Sequence, residues 1–222
     1  MAIKTYKNPG VTVDVVIFTI GSNDIKVLLI KRENAPFKDT WALPGGFLRE
    51  EELTKEAAFR ILKSKAGVGN VYMEQLYTFD KKERDPRGRV ISVAYFALIP
   101  TEAIKFENPS AQSPLFWSLK TLPKTAFDHK DIIAYALKRL RSKLEYTNVI
   151  YSLLPRYFTL SHLQEAYEAI LGKKMDKRNF RKKFELLRLI RPTRRVFYGA
   201  RQRPAKLYEF VSRKPAELKK FF

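Results

Sequence analysis

The segment from Gly46 to Val68 limits the possible folds more than any other part of the chain. Its sequence is GFLREEELTKEAAFRILKSKAGV, in which apolar residues recur with the spacing of an amphipathic helix, at Leu53, Ala57 and Leu62. This spacing predicts a helix from about Glu51 to Lys65, and Gly67 favours its end there. Strand-like runs stand on both sides, so the segment predicts a helix packed between β-strands.

The flanking runs are rich in β-branched and aromatic residues, which is typical of strands. They lie at residues 11–20, Ile25–Lys31, Val71–Phe79, Val90–Ile99 and, more briefly, Phe116–Trp117. Gly21–Asp24 predicts a hairpin turn between the first two runs, and residues 33–45 read as a loop. The run Val90–Ile99 is apolar on both alternating sides, so we expect it to be buried on both faces. A second helix is predicted from Asp131 to Lys143.

The positive charge of the chain points to a polyanionic partner. Its 43 Lys and Arg against 23 Asp and Glu give a net charge of +20, and nucleic acid is the leading candidate ahead of an anionic membrane. Residues 145–222 hold 19 of these cations and 7 of the anions, a net charge of +12. The chain has no cysteine, which excludes disulfides and thiolate metal sites. It also has no long apolar run, so we expect a cytoplasmic protein.

The last third of the chain has the pattern of a winged helix-turn-helix. A helix is predicted over Thr159–Leu171, with Thr159 or Ser161 as its cap and Gly172 at its end. Asp176 caps a second helix over Lys177–Leu187, which has one apolar and one basic face. Two strand-like runs, Ile190–Phe197 and Lys206–Phe210, then predict a basic hairpin, the wing. We place the domain boundary between residues 144 and 145.

Double-stranded DNA is the partner that this module predicts. A basic helix can enter the major groove, where Arg reads guanine and Asn reads adenine, while the wing contacts phosphates. The predicted contacts are Lys177, Arg178, Asn179, Arg181, Lys182, Arg194, Arg195, Arg201 and Arg203. A plain solvated helix face is the simpler alternative, but the cap, the preceding helix and the basic hairpin together favour DNA binding.

The segment Gly46–Val68 resembles the Nudix box, the motif of enzymes that split nucleoside diphosphates. Matching positions are Gly46, Glu52, Arg60, Leu62, Gly67 and Val68. Three acidic positions of the motif are replaced by Ile61, Ser64 and Lys65. Magnesium requires hard oxygen ligands, which isoleucine and lysine do not offer. We therefore expect a Nudix fold with no catalytic residue, no metal site and no required cofactor, in which Glu52 is the partner of Arg60.

Both halves together resemble the Nudix-related transcriptional regulators. The strongest local matches are Arg84–Tyr95, Phe158–Ala169 and Met175–Lys183. The resemblance implies an α+β fold, a Nudix-type α/β/α sandwich (residues 1–144) followed by a winged helix domain (residues 145–222). It implies a homodimer that binds palindromic operator DNA, most simply as a repressor, and a small effector held in the Nudix domain. That effector is ADP-ribose in the NAD-metabolism branch and a pentose, arabinose, in a sister branch.

The cations of the first domain favour the phosphorylated effector, because guanidinium groups suit pyrophosphate. The predicted effector-binding residues are Arg32, Trp41, Gly45, Gly46, Arg49, Lys63, Arg84, Arg87 and Arg89. Lys63 and Lys65 would occupy space that metal fills in the enzymes. Several alternatives stay open: Trp41 can serve packing, and the arginines of residues 84–89 can pair with Asp85 or Glu83. His129 and His162 show no ligand spacing, so we interpret both as structural.

Two other function classes fit parts of the sequence. The first is an active Nudix hydrolase with a nucleic-acid-binding tail, which would need metal ligands such as Glu56 with Glu50 or Glu51. The second is an RNA-binding or scaffold protein that uses its basic surface without sequence specificity. Turnover of ADP-ribose with magnesium tests the first class. Equal affinity for operator and random DNA would indicate the second.

Overall fold

The computed structural model describes residues 8–69, 71–104, 114–198 and 204–218 of the 222-residue chain. It divides into two compact units. Of the described residues, the first comprises those within 8–17, 27–97 and 104–136, and the second comprises those within 18–26, 98–103 and 137–218. The predicted boundary after residue 144 stays a prediction, since the division by contacts also assigns two short segments of the earlier sequence to the second unit.

The described strands before residue 119 form one seven-stranded sheet. They are β1 (Gly10–Gly21), β2 (Asp24–Lys31), β3 (Trp41–Ala42), β4 (Gly45–Phe47), β5 (Tyr72–Phe79), β6 (Val90–Leu98) and β7 (Leu115–Ser118). The order is β3-β2-β1-β6-β5, with β4 paired to β1 and β7 paired to β2. Ser22 and Asn23 have positive φ in the turn between β1 and β2, as the predicted hairpin requires. The prediction of a plain loop over residues 33–45 was wrong, because β3 and the start of β4 lie in it.

The predicted helix is α1 (Thr54–Ala66). It buries five side chains, Ala57, Ala58, Ile61, Leu62 and Ala66, and the full burial of Leu62 alone contributes about 1.5 to 3 kcal/mol. Its first residue follows Leu53, whose backbone N–H donates to the Glu56 carboxylate at 2.9 Å, so Glu56 supplies the missing cap. The helix ends at Gly67, which has the left-handed φ of 66° that glycine tolerates best. A second helix, α2, spans His129–Tyr146 and is longer at both ends than predicted.

The second unit contains the predicted helix pair and hairpin. Helix α3 (Leu160–Leu171) begins at Thr159, whose hydroxyl accepts a hydrogen bond from the His162 backbone at 3.1 Å. Helix α4 (Lys177–Leu187) begins at Asp176, whose carboxylate accepts from the Asn179 backbone at 2.8 Å. Both caps confirm the sequence prediction, with Thr159 and not Ser161 in the first. Strands β8 (Ile190–Phe197) and β9 (Ala205–Phe210) form an antiparallel hairpin.

Aromatic rings fix α4 against α3. Phe180 and Phe184, one turn apart, are the buried side chains among the described residues of α4. Both lie edge-on to the buried ring of Tyr167 on α3, with centroids 5.6 and 5.5 Å away. Offset and edge-on ring pairs add to the burial of apolar area, so this cluster sets how α4 projects from the unit.

Candidate functional sites

The first unit contains a cavity of about 190 Å³ at the end of β1 and β4. Charged and aromatic groups dominate its lining, among them Asp14, Arg32, Phe47, Arg84, Asp85, Arg87, Phe127 and His129. Pockets that enclose a drug-sized ligand measure about 300 to 1,000 Å³. The cavity can therefore enclose one part of a nucleotide-sized molecule, and the remainder must extend beyond it.

The floor of the cavity is a buried ion network around Asp14. The Arg84 guanidinium donates two hydrogen bonds to Asp128, at 2.8 and 3.0 Å, and lies 3.5 Å from the Asp14 carboxylate. The Ser92 hydroxyl donates to Asp14 at 2.5 Å. The side chains of all three charged residues are less than 10% exposed, so each charge depends on the others for its solvation.

His129 completes this floor as a neutral ring. The Leu43 backbone N–H donates to His129 Nδ1 at 2.9 Å, which leaves the ring proton on Nε2, 3.7 Å from Asp14. Burial lowers the pKa of His129, more than the carboxylates Asp14 and Asp128 raise it. The structural interpretation of His129 agrees with these contacts, although the same ring also lines the cavity.

Gly45 lets the β3–β4 corner approach this floor. A Cβ atom built on Gly45 would collide with Oδ1 of Asp14 and would lie 3.0 Å from the Val13 carbonyl oxygen. Gly46, the next residue, has nothing within 4 Å of the equivalent position. The absence of a side chain at 45 is thus a steric requirement, whereas at 46 it is not.

Two arginines and two aromatic rings form the rim. The Arg32 guanidinium lies 4.8 Å above the Phe127 ring, and the Arg87 guanidinium lies 5.4 Å above the Phe47 ring. Burial and then the nearby charge of Arg87 lower the pKa of Arg32. Arg32 donates to the neutral carbonyls of Pro36 and Asn34, so its charge is available to an anionic ligand.

Arg87 is already paired in this structure. It donates two hydrogen bonds to the buried Asp85 carboxylate, at 2.6 and 2.9 Å, and these bonds are the main reason that the pKa of Asp85 is lowered. The open alternative from the sequence, a pairing within residues 84–89, is confirmed for Arg87 and Asp85. Arg84 pairs outside that loop, with Asp128 and Asp14.

The structure brings five of the nine predicted effector residues to the cavity: Arg32, Gly45, Gly46, Arg84 and Arg87. The other four lie elsewhere. Trp41 packs edge-on against Trp117 at 5.2 Å, and Arg89 donates to the Asp80 carbonyl at 2.6 Å. Arg49 and the exposed Lys63 are not among the cavity residues. Their roles in effector binding stay predictions.

The cavity also includes residues that the sequence analysis did not select. Asp14, Phe47, Asp85 and Phe127 line it, and Asp128 supports it. Asp14 gave a usable signal, since a lone carboxylate in the apolar run VTVDVVIFTI needs a buried partner. Phe47 and Phe127 gave none, because their convergence depends on the pairing of distant segments.

The box helix carries no carboxylate at the three replaced positions. Ile61 is buried, and the Ser64 hydroxyl donates to the Ile61 carbonyl at 3.0 Å. Glu52 binds Arg60 through two hydrogen bonds of 2.6 and 2.7 Å, which lower the pKa of Glu52 to about 2 and confirm the predicted pair. Among the described residues, no group of three or more His, Asp or Glu side chains is arranged to hold a metal ion.

The second unit presents a basic surface on α4. Lys177, Arg178, Arg181 and Lys182 line a shallow concavity with Glu185, and all four cations are exposed. Asn179 is exposed beside them, next to the capping Asp176. Because Phe180 and Phe184 hold the opposite face, the cations project outward at the spacing of successive helical turns.

The hairpin adds further cations in the same unit. Arg194 and Arg195 are exposed on β8, and the Arg195 guanidinium lies 4.2 Å above the Tyr157 ring. The predicted contacts Arg201 and Arg203 lie outside the described residues. Exposure and positive charge do not test whether these residues contact DNA, so the DNA contacts predicted from the sequence stay predictions.

Glu168 organises the turn between α3 and α4. Its carboxylate accepts hydrogen bonds from Lys174, Gln164 and the Met175 backbone, at 2.8, 2.9 and 2.9 Å. The bond from Lys174 contributes most to lowering the pKa of Glu168 to about 2. One carboxylate thus fixes the turn that precedes the basic helix.

No helix in the described part of the chain is long and apolar enough to cross a membrane.

Two family models match the chain. The model of the NUDIX domain matches residues 8–136, and that of the NrtR DNA-binding winged helix domain matches residues 150–210. The chain is 38% identical over 210 residues to the "ADPR responsive transcriptional repressor NtrR" of Acinetobacter baylyi, covering 93% of this chain and 84% of that protein. It is 39% identical over 130 residues to the "ADP-ribose pyrophosphatase" of Methanocaldococcus jannaschii, covering 59% of this chain and 74% of that enzyme.

Solved structures give the same two-part match. The NrtR protein of Shewanella oneidensis in complex with a 27mer DNA superposes with a TM-score of 0.82 at 37% identity, over 90% of this chain and 93% of that chain. The NUDIX domain of the same protein in complex with ADP ribose superposes with a TM-score of 0.57 at 37% identity, over 63% of this chain and 94% of that chain.

Proposed function

The chain belongs to the NrtR family of Nudix-type transcriptional regulators, and from that premise we propose that ADP-ribose is the effector of this ligand-responsive repressor. ADP-ribose binds in the cavity of the Nudix unit and lowers the affinity of the winged helix for operator DNA. The observation that carries the proposal is the cationic, aromatic-lined cavity in a chain that also presents a basic recognition helix. The Acinetobacter baylyi relative is named as an ADPR responsive repressor, and the NUDIX domain of the Shewanella oneidensis relative was solved in complex with ADP ribose.

Arg32 and Arg87 supply the charge that a pyrophosphate needs. Both guanidinium groups lie over aromatic rings at the cavity rim, and a guanidinium group can make bidentate contact with phosphate oxygens. An incoming phosphate competes with Asp85 for Arg87, which couples binding to a local change of ion pairing. Arg84 remains with Asp128 and Asp14 and shapes the cavity floor, while Gly45 and Gly46 line the cavity.

We propose that the chain binds ADP-ribose without hydrolysing it. The enzyme relative makes hydrolysis the second candidate. In this chain the box offers Ile61, Ser64 and Lys65 where acidic residues would hold magnesium. Of the remaining box acids, Glu52 is bound to Arg60 and Glu56 caps α1, which leaves Glu50 and Glu51. A ligand that persists in its site is suited to control DNA binding.

On the DNA side, we propose that α4 enters the major groove and that β8 lies against the phosphate backbone. Arg178, Arg181 and Asn179 are the candidates for base contacts, and Lys177 and Lys182 for phosphates. Arg194, Arg195, Arg201 and Arg203 complete the proposed interface. We infer a homodimer, because two-fold regulators match palindromic operators with one recognition helix for each half-site.

The proposal is tested by fluorescence anisotropy with labelled DNA from upstream of the gene that encodes this protein. A shuffled fragment of equal length, at the same stated salt concentration, is the control. We expect tighter binding to the upstream fragment, and release by ADP-ribose but not by AMP, ribose 5-phosphate or arabinose. Equal affinity for both fragments would refute sequence-specific regulation. Release by arabinose alone would establish the sugar-responsive alternative.

Hydrolysis is tested separately. ADP-ribose incubated with the protein and magnesium is analysed by chromatography for AMP and ribose 5-phosphate, with the same mixture in EDTA as the control. We expect no product above the EDTA control. Turnover near 1 to 1,000 per second, the usual enzyme range, would show that this chain cuts its ligand. The proposed homodimer is tested separately by light scattering, which measures the molar mass of the intact protein in solution.

A further inference from the structure

A second depression, of about 230 Å³, adjoins the cavity at Arg32 in the first unit. Its lining includes Lys31, Arg32, Glu33, Asn34 and Lys65. Arg32 lines both this depression and the cavity. Because the cavity is too small for a whole nucleotide sugar, a ligand that extends past Arg32 reaches the second depression.

The depression has an excess of positive charge. Three cations line it against one carboxylate, that of Glu33. Within the described residues, no ion pair joins Lys31 or Lys65 to an acidic side chain, and the Arg32 guanidinium donates to backbone carbonyls. A concave surface with unneutralised cations attracts anions more strongly than a flat one.

Lys65 reaches this depression from a position that is acidic in the Nudix box. The replacement changes the local charge from −1 to +1 at the end of α1. Its neighbours do not restore a metal ligand, since Ser64 donates to the helix backbone and Ile61 is buried. Lys63, two residues earlier, does not line the depression. The lysine that replaces the acid therefore faces the site, and the other lysine does not.

We propose that this depression binds a phosphate group of the effector without a metal ion, with Lys65, Lys31 and Arg32 as its cationic partners. Lys65 does directly what magnesium does in the enzymes, because it neutralises phosphate oxygens. Without magnesium there is no activated water, so binding is separated from hydrolysis. The proposal rests on the proposed function, in that the effector carries a diphosphate.

The test is calorimetric titration of the intact protein in EDTA, with ADP-ribose and inorganic pyrophosphate as separate probes. Lys65→Glu is compared with Lys55→Glu, an equal charge reversal on the same helix at an exposed residue outside both depressions. We expect Lys65→Glu to weaken both probes by about tenfold or more, since one charge-assisted contact is lost and a repulsion is gained. Lys65→Arg should bind nearly as wild type does.

Several outcomes would overturn the proposal. Equal affinities for Lys65→Glu and Lys55→Glu would show that Lys65 touches no phosphate, and wild-type binding that requires magnesium would show a metal site. If ADP-ribose binds the wild type and releases DNA while Lys65→Glu behaves the same, only this inference fails. If ADP-ribose does not bind the wild type, the proposed function fails, and the pyrophosphate titrations alone decide the anion site.

Discussion

Removal of the Arg84 charge should destabilise the protein more than removal of any exposed cation. The Arg84 side chain is 3% exposed, and its partners Asp128 and Asp14 are 9% and 8% exposed. In Arg84→Met the two carboxylates remain buried without their cation. Loss of one partner of a buried ion pair costs about 3 to 5 kcal/mol. At an m-value of about 2 kcal/mol per molar, the urea midpoint should fall by roughly 2 M.

Urea denaturation followed by tryptophan fluorescence measures the loss. The matched control is Lys81→Met, which removes a cation from the exposed pair of Lys81 and Asp131 and should cost less than about 1 kcal/mol. Adding Asp128→Asn to Arg84→Met should recover part of the loss, because one orphaned charge is removed with its partner. If Arg84→Met unfolds at the same urea concentration as Lys81→Met, the floor of the cavity is not an ion network.

Three further predictions concern single positions. Gly45→Ala should lower the melting temperature, since a methyl group would collide with Asp14. Gly46→Ala, the control, should leave the melting temperature within about a degree of that of the wild type. Equal melting curves for the two variants would contradict the steric argument. The pKa of Glu168 is lowered from 4.5 to about 2, so the ionised carboxylate stabilises the fold fully above about pH 4.5, and this contribution is lost as the pH falls toward 2. Glu168→Gln should therefore flatten the dependence of the free energy of unfolding in urea on pH over this range. An unchanged dependence would refute the role of Glu168 in the turn. Arg178→Ala should weaken operator binding, measured by fluorescence anisotropy, by about 1 to 3 kcal/mol. Its affinity for ADP-ribose, measured by calorimetry, should be unchanged. If the variant binds the operator as the wild type does, α4 is not the recognition helix.

Local sequence signals determined most of the fold. Asp176 could be recognised as a cap because its carboxylate is followed by a helix-period pattern, and Gly67 as a stop because glycine tolerates positive φ. The pairing of Glu52 with Arg60 followed from the box spacing and is present with two hydrogen bonds. These features depend on residues fewer than ten positions apart, where spacing alone restricts geometry.

The cavity could be predicted only in part, because its parts come from distant segments. Arg32 and Arg87 were selected for their chemistry, but Phe127 was not, since nothing near it in sequence indicates that it lies under Arg32. Arg84 was selected as a phosphate contact, and its two carboxylate partners are 44 and 70 residues away in the chain. Which arginine faces a ligand and which supports the floor is decided by tertiary pairing, not by composition.

The way α4 is anchored has a consequence for the divergence of these regulators. Two rings, Phe180 and Phe184, hold the helix against Tyr167, while the exposed cations of α4 take no part in the core. Substitutions at exposed residues of α4 such as Arg178 and Arg181 should therefore cost little folding free energy. If this face contacts the operator as we propose, its residues can change, in evolution or by design, without disturbing the packing of α4 against α3.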